Sequence, residues 1–282
     1  MDRIRKALDL ARADRARFLG SFEPEAETET PPDVVDIREI GVSTPRTAHV
    51  ITYTKTQVYE PRRTVLEANR VVDPLDSSAV AAAFRMLRTQ VLQRLDERGW
   101  RSMAVLSAGP NDGKTTTAIN LAVNLASDNR HTVLLVDCDL RRPGVAAGLD
   151  IAPEFGVDDV LCGKARIDQC LYHPRGIERL VVLPARASLS NSSEALSSSR
   201  GREFVQELRA RYPERILLFD LPPILGADDA VAFLPMVECA LVVVAERQTP
   251  RDDLLRCMEL TRSTPVIGTV LNRSTGTPDA HS

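Results

Sequence analysis

Six short apolar runs, separated from one another by helical patterns, constrain the fold of this chain more than any other feature. They lie between residues 102 and 272 and read SMAVLS, TVLLVD, RLVVLP, RILLFD, ALVVVA and PVIGTVLN. Runs that are apolar at consecutive positions predict strands covered on both faces, as in a parallel sheet between two layers of helices. The sequence therefore predicts a doubly wound, mostly parallel α/β fold.

The region before these runs changes composition along its length. Residues 2–18 place apolar side chains at helical spacing, which predicts an amphipathic helix that either packs on its own domain or docks to a partner. The acidic FEPEAETETPPD predicts a solvated linker. VITYTKTQV then alternates like a strand, and RRTVLEANRVV favours a helical turn or two. We therefore predict a largely extended N-terminal region at 1–74, followed by a core domain at 75–282.

The core domain begins with a long predicted helix. SSAVAAAFRMLRTQVLQRLDERG is rich in helix-forming residues, opens on serines that can cap a helix and closes on Gly99. This pattern indicates one continuous helix that leads into the first buried strand.

Composition excludes several function classes. A net charge of -3 provides no basic field, so we expect no nucleic-acid partner. The five cysteines are scattered, without the paired spacing of zinc sites or secreted disulfide frameworks. No apolar run is long enough to cross a bilayer, and the charged N-terminus lacks the apolar stretch of a signal peptide. We therefore expect a cytoplasmic protein.

The stretch SAGPNDGKTTT, residues 107–117, ends the first run and opens a helix. Backbone N–H groups of such a loop and helix start point at one anion. Lys114 would reach the β- and γ-phosphates of a nucleotide, and the Thr115 hydroxyl would bind Mg²⁺. Ala108 stands where the strict P-loop pattern has its first glycine, so an ordinary strand–helix turn is the alternative. The predicted nucleotide-binding residues are Pro110, Asn111, Asp112, Gly113, Lys114, Thr115 and Thr116.

Three carboxylates follow two of the other runs. Asp137 and Asp139 stand two residues apart in TVLLVDCDLRRP, and Asp220 ends RILLFD. In open α/β sheets ligands bind beyond the carboxyl ends of the strands, so these carboxylates and Lys114 could meet there. One carboxylate would hold Mg²⁺ and another would orient or deprotonate an attacking hydroxyl, while Arg141 and Arg142 would neutralise phosphoryl oxygens. Each motif alone is also typical of a solvated turn or a turn cap.

Together these motifs resemble the bacterial tyrosine kinases of capsule and exopolysaccharide systems, whose fold belongs with the partition and septum-positioning P-loop ATPases. The resemblance covers about residues 75–273 and rests on the loop proline Pro110, on LLVDCDLR and on LLFDLPP. It implies that Asp137 positions or deprotonates the tyrosine. It also implies that Asp139 and Asp220 serve Mg²⁺, directly or through water.

The same resemblance implies cofactors, a partner and a location. ATP and Mg²⁺ are the expected cofactors, with Asn272 in VLNR facing the adenine. The N-terminal MDRIRKALDLARADR is similar to members from exosortase-linked polysaccharide loci, which are separate cytoplasmic chains that work with a membrane co-polymerase. The expected activator is an inner-membrane polysaccharide co-polymerase, or chain-length determinant protein, which would recruit the chain to the membrane. The expected function is a Mg-ATP-dependent protein-tyrosine autokinase that regulates exopolysaccharide polymerisation or export.

Two departures from the family pattern leave a second function open. Family kinases usually end in a tyrosine cluster, whereas the tail after Asn272, RSTGTPDAHS, contains no tyrosine. If any of the four tyrosines present is a target, Tyr53 and Tyr59 are expected to be the more reachable pair. Ala82 replaces the glutamate of the family's ring-forming E-x-x-R-x-x-R motif, so a homo-oligomer stays an open expectation. The alternative function is a partition-type ATP-binding switch or ATPase, which controls assembly with a membrane co-polymerase without phosphorylating protein.

Overall fold

The computed structural model describes residues 56–274, in which eight strands form one sheet and nine α-helices accompany it. The strands are β1 Gln57–Tyr59, β2 Ser102–Ser107, β3 Thr132–Asp137, β4 Tyr172–Pro174, β5 Leu180–Leu183, β6 Arg215–Asp220, β7 Cys239–Ala245 and β8 Val266–Asn272. The α-helices are α1 Arg63–Ala68, α2 Ala79–Arg98, α3 Lys114–Ala126, α4 Val145–Gly148, α5 Val157–Leu161, α6 Ser192–Ser197, α7 Ser199–Arg211, α8 Asp229–Phe233 and α9 Arg251–Leu260.

The sheet has the strand order β1-β4-β5-β3-β6-β2-β7-β8. Neighbouring strands pair in parallel throughout, except for β4 and β5, which pair antiparallel. The predicted doubly wound, mostly parallel α/β fold is confirmed, and each of the six apolar runs contains a strand. The sequence analysis missed β4, because three residues are too few to show a periodicity.

The side chains of the central strands point alternately to the two faces of the sheet, and both faces are covered, which explains why these strands are apolar throughout. In β3, Leu134 and Val136 belong to one buried cluster, whereas Val133 and Leu135 belong to a second cluster on the other face. Successive side chains of a strand point to opposite faces, so a sheet covered on both sides needs apolar residues at every position. Helix α3 belongs to the second cluster through residues such as Leu121.

The predicted long helix is present as α2. Ser78 caps it by accepting a hydrogen bond of 3.2 Å from the Ala81 N–H, and Gly99 ends it in the left-handed conformation with φ of 67°. Arg85 of this helix donates to the carbonyl oxygens of Pro74 and Asp76. Between residues 56 and 274, no helix combines the length and apolar character that crossing a bilayer demands.

The described part of the predicted N-terminal region, residues 56–74, packs on the same sheet as the core. Strand β1 pairs with β4, and the backbone N–H of Val72 donates to Asn120 Oδ1 at 2.7 Å. The Tyr59 hydroxyl donates to the Leu149 carbonyl oxygen at 3.0 Å, so its phenolic oxygen is bonded within the fold, while the expectation that Tyr53 and Tyr59 are the more reachable pair stays a prediction. The predicted amphipathic helix, the acidic linker, most of the predicted strand at 50–58 and Tyr53 lie outside the described residues.

Candidate active site

A cavity of about 540 Å³ opens where the carboxyl ends of β3, β6 and β2 lie side by side. This is the position at which open α/β sheets bind ligands. The cavity is lined by Pro110, Asn111, Gly113, Lys114, Thr115, Thr116, Asp139, Arg141, Arg142, Pro222, Pro223, Gly226, Ala227 and Arg273. Eight of the twelve site residues predicted from the sequence therefore line the cavity. The other four, Asp112, Asp137, Asp220 and Asn272, do not line the cavity, and the three aspartates are buried.

The loop between β2 and α3 is shaped by two residues in the left-handed region. Asn111 has φ of 65° and Gly113 has φ of 88°. Asp112 turns inward, and its Oδ2 accepts a hydrogen bond of 3.1 Å from the Gly109 N–H across the loop. Helix α3 begins at Lys114 without a side-chain cap, so its first backbone N–H groups can bind an anion from the cavity.

Lys114 lies among carboxylates at the base of the cavity. Its Nζ is 2.6 Å from Asp139 Oδ2 and 4.0 Å from Asp220 Oδ1. Burial alone would lower the pKa of Lys114, but the charges of Asp220 and Asp139 outweigh it and raise that pKa above its usual value. The side chain is therefore an ammonium group at neutral pH.

Asp220 and Thr115 connect the end of β6 to the first turn of α3. The Thr115 hydroxyl donates to Asp220 Oδ2 at 2.7 Å, and the carboxylate is fully buried. Burial raises the pKa of Asp220, although Lys114 and the Thr115 hydroxyl oppose that shift. Asp220 Oδ1 is buried and accepts no hydrogen bond from residues 56–274. An unsatisfied carboxylate oxygen beside a hydroxyl fits a divalent cation or one of its water ligands.

Asp137, the last residue of β3, is fully buried behind the cavity wall. Its Oδ2 accepts hydrogen bonds from the backbone N–H groups of Gly144 and Val145, and its Oδ1 accepts one from Asp139. Burial, and then the charge of Asp220, raise the pKa of Asp137 well above its usual range. In this arrangement Asp137 holds the segment 139–145 against the end of the strand.

Two arginines shape the cavity wall through contacts that the sequence analysis missed. The Nε of Arg141 donates to Asp229 Oδ2 at 2.8 Å, and its Nη2 lies 3.7 Å from Asp228 Oδ1. Arg273 donates from Nη2 to the Asn111 carbonyl oxygen at 2.7 Å. The position of Arg273 directly after the last strand was the available sequence signal, since strand ends converge on the site.

Asn272 fixes the phosphate loop from the end of β8. Its Nδ2 donates to the Asp112 carbonyl oxygen at 2.8 Å, and its Oδ1 accepts from the Arg273 N–H at 2.9 Å. Its amide group leaves no room for a Cβ on Gly113. Both polar atoms of Asn272 are thus bonded to protein, and its role toward adenine stays a prediction.

Comparison with known proteins agrees with this geometry. Residues 104–249 match a family model described as an AAA domain. Tyrosine-protein kinase YwqD of Bacillus subtilis (strain 168) is 30% identical over 67% of this chain and 79% of its own length. Succinoglycan biosynthesis transport protein ExoP of Rhizobium meliloti (strain 1021) is 31% identical over 73% of this chain, but over only 26% of its own length. The crystal structure of the VpsO kinase domain matches with a TM-score of 0.62 and 31% identity, and the match covers 70% of this chain and 96% of that one. The chain therefore belongs to the bacterial tyrosine kinases, a family of P-loop proteins that share this AAA domain.

Proposed function

We propose that the chain is a Mg-ATP-dependent protein-tyrosine autokinase that regulates exopolysaccharide polymerisation or export. The observation that carries the proposal is the convergence of Lys114, Thr115, Asp139 and Asp220 at one cavity. The tyrosine-protein kinase and succinoglycan transport names of two relatives support the reaction and its setting.

ATP and Mg²⁺ are the proposed cofactors. Lys114, Thr116 and the loop around Gly113 would bind the phosphates, because they present an ammonium group and backbone N–H groups to the cavity. Thr115, Asp139 and Asp220 would hold Mg²⁺, which prefers oxygen ligands. The ion would supply neutralisation of the charge on the phosphates.

The proposed reaction transfers the γ-phosphoryl group to a tyrosine. The phenolic oxygen forms a bond to the γ-phosphorus, the bond from that phosphorus to the β–γ bridging oxygen breaks, and ADP leaves with the electron pair. We propose Asp137 as the acceptor of the phenolic proton, because its carboxylate accepts a hydrogen bond from the backbone N–H of Asp139, a residue that lines the cavity. Since Asp137 does not line the cavity, this role requires the hydroxyl to reach beyond the lining residues.

Intact mass after incubation with Mg-ATP tests the kinase proposal. Dephosphorylated wild-type protein should gain about 80 Da for each phosphorylated site. Lys114→Ala and Asp137→Asn should gain none. Lys164→Ala is the matched control, since it removes the charge of an exposed lysine away from the cavity, and it should behave like the wild type. Absence of a gain in the wild type, also with the cytoplasmic segment of the co-polymerase present, would overturn the proposal.

A partition-type ATPase switch is the second candidate, favoured by the placement of the tyrosines. Tyr59 donates to a backbone carbonyl, and Tyr172 is buried and accepts a hydrogen bond from the Glu154 N–H. A switch of this kind would release phosphate from ATP and leave the protein mass unchanged. Phosphate release and intact mass, measured on one sample, separate the two functions.

We also propose a cytoplasmic location, with recruitment to the inner membrane by a polysaccharide co-polymerase that acts as the activator. Assembly into a homo-oligomer is proposed through contacts other than the family's ring motif. Arg85 and Arg88 of that motif are bonded within the chain, Arg88 to Ser127 Oγ at 2.8 Å, and Ala82 supplies no carboxylate. Light scattering with and without Mg-ATP measures the assembly.

A further inference from the structure

Asp229, which forms an ion pair with Arg141, has no part in the roles assigned above. Asp229 is the first residue of α8, and its side chain is 1% exposed. Its Oδ2 accepts the hydrogen bond from Arg141 Nε at 2.8 Å. Its Oδ1 is buried and accepts no hydrogen bond from residues 56–274.

A carboxylate buried in this way lowers the stability of the fold unless a cation and hydrogen bonds satisfy it. Arg141 is the cation that approaches it within hydrogen-bonding distance, from a side chain that lines the cavity. The requirement of the buried carboxylate therefore fixes where the Arg141 guanidinium lies.

The way in which Asp229 holds the guanidinium leaves its other end available. Asp229 takes the Nε–H, the donor closest to the aliphatic part of the side chain. Nη2 is 3.7 Å from the carboxylate of Asp228, which is 78% exposed and too distant for a hydrogen bond. Nη1 has no hydrogen-bond partner in the described part of the chain. The two terminal nitrogens of an arginine suit two oxygens of one phosphoryl group.

We propose that Asp229 is a positioning residue that fixes Arg141 at the cavity wall, so that its terminal nitrogens bind the γ-phosphate of the nucleotide. A flexible arginine would have to be ordered each time a nucleotide binds, whereas a side chain already held in place needs no reorganisation. The inference rests on the proposed function in one respect, namely that the ligand is ATP.

The preference for a non-hydrolysable ATP analogue over ADP, measured as the ratio of the two Kd values in the presence of Mg²⁺, tests the proposal. Arg141→Ala should lower this preference at least about tenfold, since one charge-assisted hydrogen bond is already worth that factor. Asp229→Asn should lower it by a comparable factor and leave the Kd for ADP unchanged. The double variant should lose no more than Arg141→Ala alone, because both changes remove the same contact.

Asp228→Asn is the matched control, since it removes the neighbouring exposed carboxylate, and the preference should not change. The melting temperature of each variant shows whether it folds. If Asp229→Asn fails to fold, two double variants are compared instead, Asp229→Asn/Arg141→Ala and Asp229→Asn/Arg141→Lys. The first of these has no unpaired guanidinium or carboxylate at this position. If Lys at position 141 restores the preference for the ATP analogue although position 229 has no carboxylate, the proposal is overturned.

Three further outcomes would also overturn it. They are an unchanged preference in Asp229→Asn when Arg141→Ala reduces it, an additive loss in the double variant, and an equal loss of affinity for both nucleotides. None of these measurements requires phosphotransfer. If the variants change the Kd ratio as expected but the wild type gains no mass, the positioning role of Asp229 stands and the kinase function is overturned. If the wild type gains mass but the variants do not change the ratio as expected, the kinase function stands and the positioning role is overturned. A wild-type protein that binds neither nucleotide would overturn both.

Discussion

Lys114 Nζ lies 2.6 Å from Asp139 Oδ2, so the lysine of the phosphate loop is bonded to a carboxylate of the turn that follows β3. Asp137 and Asp220 are buried close by, and their charges act on the pKa of this lysine. One ammonium group therefore faces three carboxylates. If the proposed function holds, Lys114 has to exchange Asp139 for a phosphate of the nucleotide, and Mg²⁺ would then neutralise the carboxylates.

Lys114→Met should destabilise the nucleotide-free protein. The change leaves Asp139 and Asp220 buried without their ammonium partner, and breaking a buried ion pair costs about 3 kcal/mol or more of unfolding free energy. The variant should also lose the stabilisation by Mg-ATP, which is about 2.7 kcal/mol for a ligand at 100 times its Kd. Thermal denaturation with and without Mg-ATP measures both effects. Lys164→Met serves as the control, and a Lys114→Met protein that Mg-ATP still stabilises would contradict the prediction.

Gly113→Ala should abolish nucleotide binding. Gly113 has φ of 88°, which costs an L-residue about 1 kcal/mol, and a Cβ there would also displace the Asn272 amide from the Asp112 carbonyl oxygen. Gly176→Ala is a matched control, because Gly176 has φ of 87° and no atom within 4 Å of its Cβ position. Backbone strain should lower the stability of both variants, but only Gly113→Ala should lose the rise in melting temperature with Mg-ATP. Equal behaviour of the two variants would show that Asn272 does not fix the loop.

The sequence predicted the fold and the site to different depths, for physical reasons. Buried parallel strands are apolar at every position, so they could be recognised as apolar runs in the sequence. Because ligands bind beyond the carboxyl ends of such strands, Lys114 and the three carboxylates could be predicted from their positions after these runs. Strand β4 is three residues long and gives no periodicity. The partner of Arg141 lies 88 residues away at Asp229, a distance at which local pattern carries no information. The position of Asp137 behind the wall depends on the turn that follows β3.

Asp150→Asn should weaken the attachment of the segment before α1, and the effect should depend on pH. The Asp150 carboxylate accepts hydrogen bonds from the backbone N–H and the Nε of Arg62, which lower its pKa to about 2. Because the folded pKa lies below the unfolded one, the stabilisation is complete above about pH 4 and is lost as the pH falls toward 2. Asparagine tolerates the φ of 58° found at this position, so the substitution changes mainly the charge.

The variant should therefore melt below the wild type at pH 7, and the two melting temperatures should converge as the pH approaches 2. Thermal denaturation across this pH range makes the comparison. Glu67→Gln, which removes an exposed ion pair with Arg63 within α1, should show a smaller difference at every pH. A difference between Asp150→Asn and the wild type that stays constant with pH would mean that the charge of Asp150 contributes nothing.

Tyr59→Phe should reduce stability without changing phosphorylation. The Tyr59 hydroxyl donates to the Leu149 carbonyl oxygen at 3.0 Å, and burial, together with Asp150, raises its pKa above the usual value. Loss of this hydrogen bond should lower the free energy of unfolding by about 1 kcal/mol, measured by urea denaturation. Peptide mapping after Mg-ATP treatment should find no phosphate on Tyr59, because the phenolic oxygen is bonded inside the fold. Tyr212→Phe is the comparison, since that ring contacts Arg215 at 4.3 Å through its face. A phosphate mapped to Tyr59 would show that β1 leaves the sheet to present its tyrosine to an active site.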